Sequence, residues 1–351
     1  MAAVIPLLER LVAARSPSRE EAPVVDVFES WAAGAGFRVH AVGNNRWVVR
    51  EAAVAGPTLL LLSHYDTVPA TPAWSRDPWV PTREGDRLYG LGANDAKGCL
   101  AAMMEAFAGA QLAVGRLILV AAAEEEVGRN GFEVVFPQLP RLDAAIVGEP
   151  TGLDIATAQN GLLVLDCVAR GRAGHAARPH LADNALYTMA HDLLAIEALS
   201  LPRVHPRAGS TTCAATIAQG GERHNVIPGE ARWTVDIRTT DAYTVEELVA
   251  LVRERVQSEV EVRSARFVAV STPPGADILA AAYAGWGSAV EFASPTLSDW
   301  AHLHGVPAVK WGPGASERSH TADEWVEVSQ VEAAVGAYRL AIEYFLGGRE
   351  C

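Results

Sequence analysis

The stretch LLLLSHYDTVPA, residues 59–70, decides how the chain is read. Four leucines in a row have the length and character of a strand buried on both faces, and the run ends abruptly in His64, Tyr65 and Asp66. In an extended segment residues i and i+2 point to the same side, so His64 and Asp66 can face one point in space where the strand runs out. Asp66 could then fix the tautomer of a working histidine. A histidine making an ordinary structural hydrogen bond at a strand end fits these residues equally well.

Working outward, the first half of the chain alternates helical and strand patterns. VIPLLERLVAA and EAPVVDVFESWAAGAG have helical spacing, and DAKGCLAAMMEAFAGAQ opens a helix at Asp95. GRLILVAAAEEE and LDAAIVGEP add two more buried strands, which implies an α/β domain with a mostly parallel sheet. From about residue 160 the pattern changes. LLVLDCVARG alternates like a strand with one wet face, TTCAATIAQGG and EARWTVDIRTT suit a strand pair, and helices and a last strand complete a β-α-β-β-α-β order. That order is ferredoxin-like. STPPGAD reads as a linker, after which α/β character returns in PAVKWGPG and a final amphipathic helix. The expectation is a catalytic domain of residues 1–159 and 273–351, with residues 160–272 inserted as a smaller α+β domain.

The 351 residues, half of them hydrophobic, suffice for two such domains. A formal net charge of −13 argues against nucleic acid or an anionic membrane as partner. Cys99, Cys167, Cys213 and Cys351 are scattered without a CxxC pair and read as reduced thiols of a cytoplasmic protein. The N-terminal apolar run meets Glu9 and Arg10 too early for a signal sequence, and no apolar stretch is long enough to cross a bilayer.

Three strand candidates of the larger domain end in residues that bind metals: His64, then Glu124, Glu125 and Glu126, then Glu149. Asp95 lies in the glycine-rich turn YGLGANDAKG. Ligands of open α/β sheets gather at the carboxyl ends of the strands. Carboxylates crowded at one rim resist ionising together unless a cation is present. The set points to a metal centre, and imidazole with carboxylate suits zinc, with cobalt or manganese as alternatives. His320, in GPGASERSHTADEW, is the best further nitrogen ligand; His302 and His304 read as surface or packing residues.

In this order, HYDTVP, GLGANDAKG, EEE, GEPT and GPG…SHTADEW resemble the di-zinc amidohydrolase/peptidase family of acetylornithine deacetylase, succinyl-diaminopimelate desuccinylase, carboxypeptidase G and aminoacylase. The resemblance covers nearly the whole chain. It implies two zinc ions bridged by Asp95, with His64 and Glu149 completing one site and Glu126 and His320 the other. It further implies that Asp66 supports His64 and that Glu125 is the general base, although a slip of one residue along the three glutamates would exchange the roles. His175 in GRAGHAARPH becomes an oxyanion donor, reaching in from a partner subunit in dimeric relatives, and Asn225 in ERHNVIPGE an assisting polar group. The inserted domain becomes a lid and homodimerisation domain.

Arg238, on a strand candidate, could clamp a substrate carboxylate or simply pair with Asp236 or Asp241. Gly314 could let backbone approach a substrate or serve a plain turn. Within the family, the motifs resemble the acetylornithine deacetylase branch. TLSDWAH stands where desuccinylases show a TSDGRF-like stretch, and it lacks that arginine. The expected reaction is therefore hydrolysis of an N-α-acyl amino acid, foremost N-acetylornithine in arginine biosynthesis. Alternatives are N-acetylcitrulline, N-succinylornithine, or release of lysine or ornithine from an amino-group carrier protein. Outside enzymes, the alternative is an inactive metal-binding scaffold or sensor.

Overall fold

The structure is a computed structural model and describes residues 4–128, 130–303 and 305–347. His304 and Cys351 lie outside them. The chain forms two compact units, the first made of Met1–Thr157, Ser271–Phe292 and Ser298–Cys351, the second of Ala158–Val270 and Ala293–Leu297. Residues 293–297, read from the sequence as part of the larger domain, thus belong to the second unit.

In the first unit, helices α1 (Val4–Ala13) and α2 (Ala22–Gly34) precede a hairpin of β1 (Val39–Val42) and β2 (Asn45–Glu51). Then come β3 (Val54–His64), α3 (Gly98–Gly109), β4 (Val114–Ala122) and β5 (Ala144–Val147). The sheet runs β1-β2-β4-β3-β5 and continues into the strand Ala308–Lys310. The hairpin enters antiparallel, through β2 on β4, whereas β4, β3, β5 and Ala308–Lys310 are mutually parallel. The sheet is therefore mainly parallel, as the buried apolar runs implied. The four parallel strands direct their carboxyl ends to one rim.

Leu59 to Leu62 of β3 are each 0% exposed, which explains the unbroken leucine run: both faces are covered. Each such leucine stabilises the fold by about 1.5–3 kcal/mol. Helix α3 is apolar nearly all round because it is buried between α1 and the last helix, Val328–Phe345. Its first residues follow directly on the turn that carries Asp95.

The second unit contains β6 (Gly161–Arg170), the short β7 (Gly174–His175), α4 (Ala185–Glu197), β8 (Thr212–Gly220) and the short β9 (Val226–Ile227). It closes with β10 (Glu230–Thr239), α5 (Val245–Arg255) and β11 (Glu259–Phe267). Its sheet has the order β8-β10-β6-β11, entirely antiparallel, with α4 and α5 packed together against its apolar face. This is the ferredoxin-like arrangement. Burial alternates strictly along β6, as the period-2 pattern of LLVLDCVARG requires. Asn184 caps α4, and Thr244 with Glu247 forms a capping box on α5.

Candidate metal centre

Ligand-type side chains of the first unit stand at or just past the ends of β3, β4 and β5, and two more stand in separate turns. His64 is the last residue of β3. Beyond β4 the chain turns at Glu124, whose φ of 52° reverses its direction, and a single 3-10 turn, Glu125–Val127, follows. Glu149 lies two residues past β5. Asp95 sits in the tight turn Ala93–Lys97, entered through Gly92 at φ 81°; a Cβ there would meet Thr67 at 2.7 Å. His320 adopts φ 61° just after the turn Ser316–Arg318.

These separate loops converge. His64 Nε2 is 3.3 Å from Asp95 Oδ1 and 3.9 Å from Glu149 Oε1. His320 Nε2 is 3.0 Å from Glu126 Oε1 and 3.8 Å from Asp95 Oδ2. The two oxygens of Asp95 thus face two different histidine–glutamate pairs. His64, Asp95 and Glu126 each offer a ligand atom within 4.8 Å of the others, a donor set that fits a divalent cation. The arrangement leaves Asp95 placed to serve two cations at once.

Electrostatics describe the same crowding. Burial pushes Glu149 up to about 7, reinforced by Asp95 and Glu126 and opposed by Lys310 and His64. Burial likewise raises Glu125 well above the carboxylate range, with Glu149, Asp299 and Glu126 adding to it against His64. For His64 burial acts against the charged ring, but hydrogen bonds to Asp66 and Asp95 and the fields of Glu125 and Glu149 outweigh it, raising its pKa well above the usual value. Asp95 falls to about 2 because His64, Ser319 and His320 overcome the upward push of its burial. Glu126 lifts His320 to about 9. Protons and imidazolium charge here offset carboxylate repulsion, a task a bound cation performs better.

Asp66 does more than face His64. Its carbonyl oxygen and Oδ1 lie 3.2 and 3.4 Å from His64 Nδ1, which keeps a proton on that nitrogen and turns Nε2 toward the centre. The same carboxylate accepts the backbone N–H groups of Glu125 at 3.1 Å and Glu126 at 3.2 Å, and the hydroxyl of Ser18 at 2.7 Å. One buried aspartate therefore fixes both the histidine of β3 and the glutamate turn after β4.

The three glutamates separate in space. Glu124 turns outward to Arg19, at 3.4 Å, while Glu126 meets His320. Gly314, at φ 89°, packs against Asn94, whose Oδ1 would lie 2.4 Å from an added Cβ. His302 is near Asp299, at 3.9 Å. In the second unit β7 pairs with β9, His175 opposite Val226, and Ala176 N–H donates to the carbonyl of Asn225. The Ala177 N–H donates to His175 Nδ1 at 3.0 Å, so the ring proton is on the exposed Nε2. Arg238 hydrogen-bonds Asp236 twice, at 2.8 and 3.3 Å, the simpler of its two readings.

Sequence reasoning passed over the buried groups behind the centre. Glu324 accepts backbone N–H bonds beside Asp95, and burial raises it to about 8. Lys97 is fully buried, donates to the Ala14 carbonyl at 3.2 Å, and is lowered to about 7 by that burial. Lys310 is buried in the fields of Glu149 and Asp95. A lysine inside an apolar run, as in AVKW, was the signal available for the last.

The family profile described as Peptidase family M20/M25/M40 matches residues 60–344. An acetylornithine deacetylase of Myxococcus xanthus is 31% identical over 312 residues, covering 83% of this chain and 81% of that protein. A succinyl-diaminopimelate desuccinylase of Rhodospirillum centenum is 33% identical over 382 residues, covering 99% and 98%. Among solved structures, the aminopeptidase PepT of Bacillus cereus superposes with a TM-score of 0.80 at 20% identity, covering 97% of this chain and 98% of that one. The YxeP protein of Bacillus subtilis, a dinuclear metal-binding peptidase, gives 0.73 at 15% identity with 97% of both chains covered.

Proposed function

We propose that this chain, which belongs to the peptidase family M20/M25/M40, is an amidohydrolase acting on N-α-acyl amino acids with two divalent cations held by His64, Asp95, Glu126, Glu149 and His320. The observation that carries the reading is the division of Asp95 between two histidine–glutamate pairs. Zinc is the cation we assign, from imidazole and carboxylate donors in one set. When bound, the ions supply Lewis-acid polarisation of the amide carbonyl and a more acidic water. Glu125 takes the water's proton and returns it to the departing nitrogen. His175, with Asn225 beside it, is the donor we assign to the tetrahedral oxyanion, reaching in from the second unit of a partner subunit. Arg238 and Gly314 remain the candidates for contact with the substrate.

N-acetylornithine is the leading substrate, which places the enzyme in arginine biosynthesis. It is supported by the Myxococcus relative and by residues 296–302, where Ser298 and Asp299 match a TSDGRF-like stretch but Ala301 stands at the position of its arginine. A second reading, an acidic acyl group or an acidic carrier protein, is favoured by a surface feature. Arg172, Arg178, Arg223, His175, His180 and His224 are all exposed around the β7–β9 pair, in a chain whose net charge is −13. Zinc-loaded protein should be assayed on N-acetylornithine, N-acetylcitrulline, N-succinylornithine and N-succinyl-diaminopimelate. The leading version predicts kcat/KM at least about 10-fold higher for an acetylated substrate. Turnover confined to succinylated ones, or co-purification with a small acidic carrier, would shift the assignment to the second.

We also assign homodimerisation to the second unit. β8 is an edge strand exposed along nearly its whole length, with Ile217 47% exposed, and the adjacent α4 shows Tyr187 at 70% and Leu194 at 62%. An unprotected apolar edge of this kind calls for a strand from another copy. Light scattering should give twice the 37.3 kDa chain mass, and Ile217→Asp should shift it to the monomer. A monomeric wild type at micromolar concentration rules this out.

A further inference from the structure

The position of Asp95 is set by a residue outside every motif role assigned above. Glu324 is 2% exposed, and its Oε1 accepts the backbone N–H of Asn94 at 2.9 Å and of Asp95 at 3.0 Å. Its own carbonyl accepts the N–H of Gly90 at 3.0 Å, so the residue grips the turn before α3 at two levels. The Asn94 side chain closes the same clasp from the other side. Its Nδ2 donates to the Ala315 carbonyl at 3.1 Å and to Ser319 Oγ at 3.3 Å, and its Oδ1 accepts the Ala315 N–H at 2.9 Å. His320 lies within the segment so pinned, between Ser319 and Glu324. The loop that carries Asp95 and the loop that carries His320 are thus fastened to each other through Glu324 and Asn94, with Ser319 joining the clasp and also hydrogen-bonding the Asp95 carboxylate.

We propose that Glu324 is a positioning residue whose reach sets the separation of Asp95 from His320, and with it the affinity of the cation held between them. The inference rests on the two-cation reading given above. A glutamate here provides an acceptor at a fixed distance from its own backbone. One methylene less draws the Asn94–Asp95 turn away from its place or leaves two buried N–H groups unpaired. A purely structural role would lower the melting temperature of the metal-free protein and leave its metal affinities alone.

The test is calorimetric titration of zinc into chelator-stripped full-length protein, with cobalt absorption as a second readout of coordination. Glu324→Gln keeps an amide oxygen at the same reach and is expected to bind two equivalents with less than about a 10-fold change in affinity. Glu324→Asp keeps the carboxyl group but not the reach, and is expected to weaken the binding of one of the two ions by about 10–100-fold. If Glu324→Asp does not fold, Asn94→Ala opens the clasp from the Ala315 side and carries the same expectation. Wild-type affinity for both ions in the shortened or opened variant overturns the inference, as does equal loss in Glu324→Gln. Fewer than two ions in the wild type would instead remove the two-cation reading itself, which keeps the two failures apart.

Discussion

Glu125→Gln is expected to lower kcat by about 10²–10⁴ while the protein keeps its metal and its melting temperature. The substitution preserves size and leaves intact the Glu125 N–H bond to Asp66, because that bond is made by the backbone. What it removes is the one function assigned to the side chain, the acceptance and return of a proton. KM should change little, since the group is not asked to hold the ground state. The neighbouring change, Glu126→Gln, should give the opposite pattern, with weakened metal binding, because that side chain is the one 3.0 Å from His320. If the two variants exchange phenotypes, the roles slip by one residue along the glutamate run. If Glu125→Gln turns over like the wild type, the base is another group.

Much of this arrangement was legible from residues 59–70 and their counterparts. A buried strand that stops at a histidine or a glutamate announces the rim of a parallel sheet, and His64, Glu126 and Glu149 are where that logic places them. The period-2 burial of β6 and the order of the second unit's elements likewise follow from local patterns. What escaped depends on contacts distant in sequence. Nothing in the text of Ser18 points to Asp66, and Glu324 looks like a surface acid in ADEW until its carboxylate is seen beneath the Asp95 turn. The β1–β2 hairpin gives the sheet an antiparallel flank that the leucine-rich strands do not foretell. Glu124 could not be told from its neighbours by composition; its positive φ is what sends it to Arg19.

Removal of metal should have the largest effect. Burial and mutual repulsion raise Glu125, Glu126 and Glu149, so the stripped centre exchanges ions for protons and imidazolium charge; the fold can persist, but the chemistry cannot. Without a Lewis acid the amide carbonyl loses its polarisation and the water its acidity, a loss of at least about 10³-fold. The most direct measurement is turnover of an N-acyl amino acid by chelator-stripped protein as zinc, cobalt or manganese is added back, with bound metal counted at each point. The two-cation account predicts negligible cleavage at the start and full activity once two equivalents are bound. Stripped protein that cleaves as fast as the untreated enzyme would contradict it.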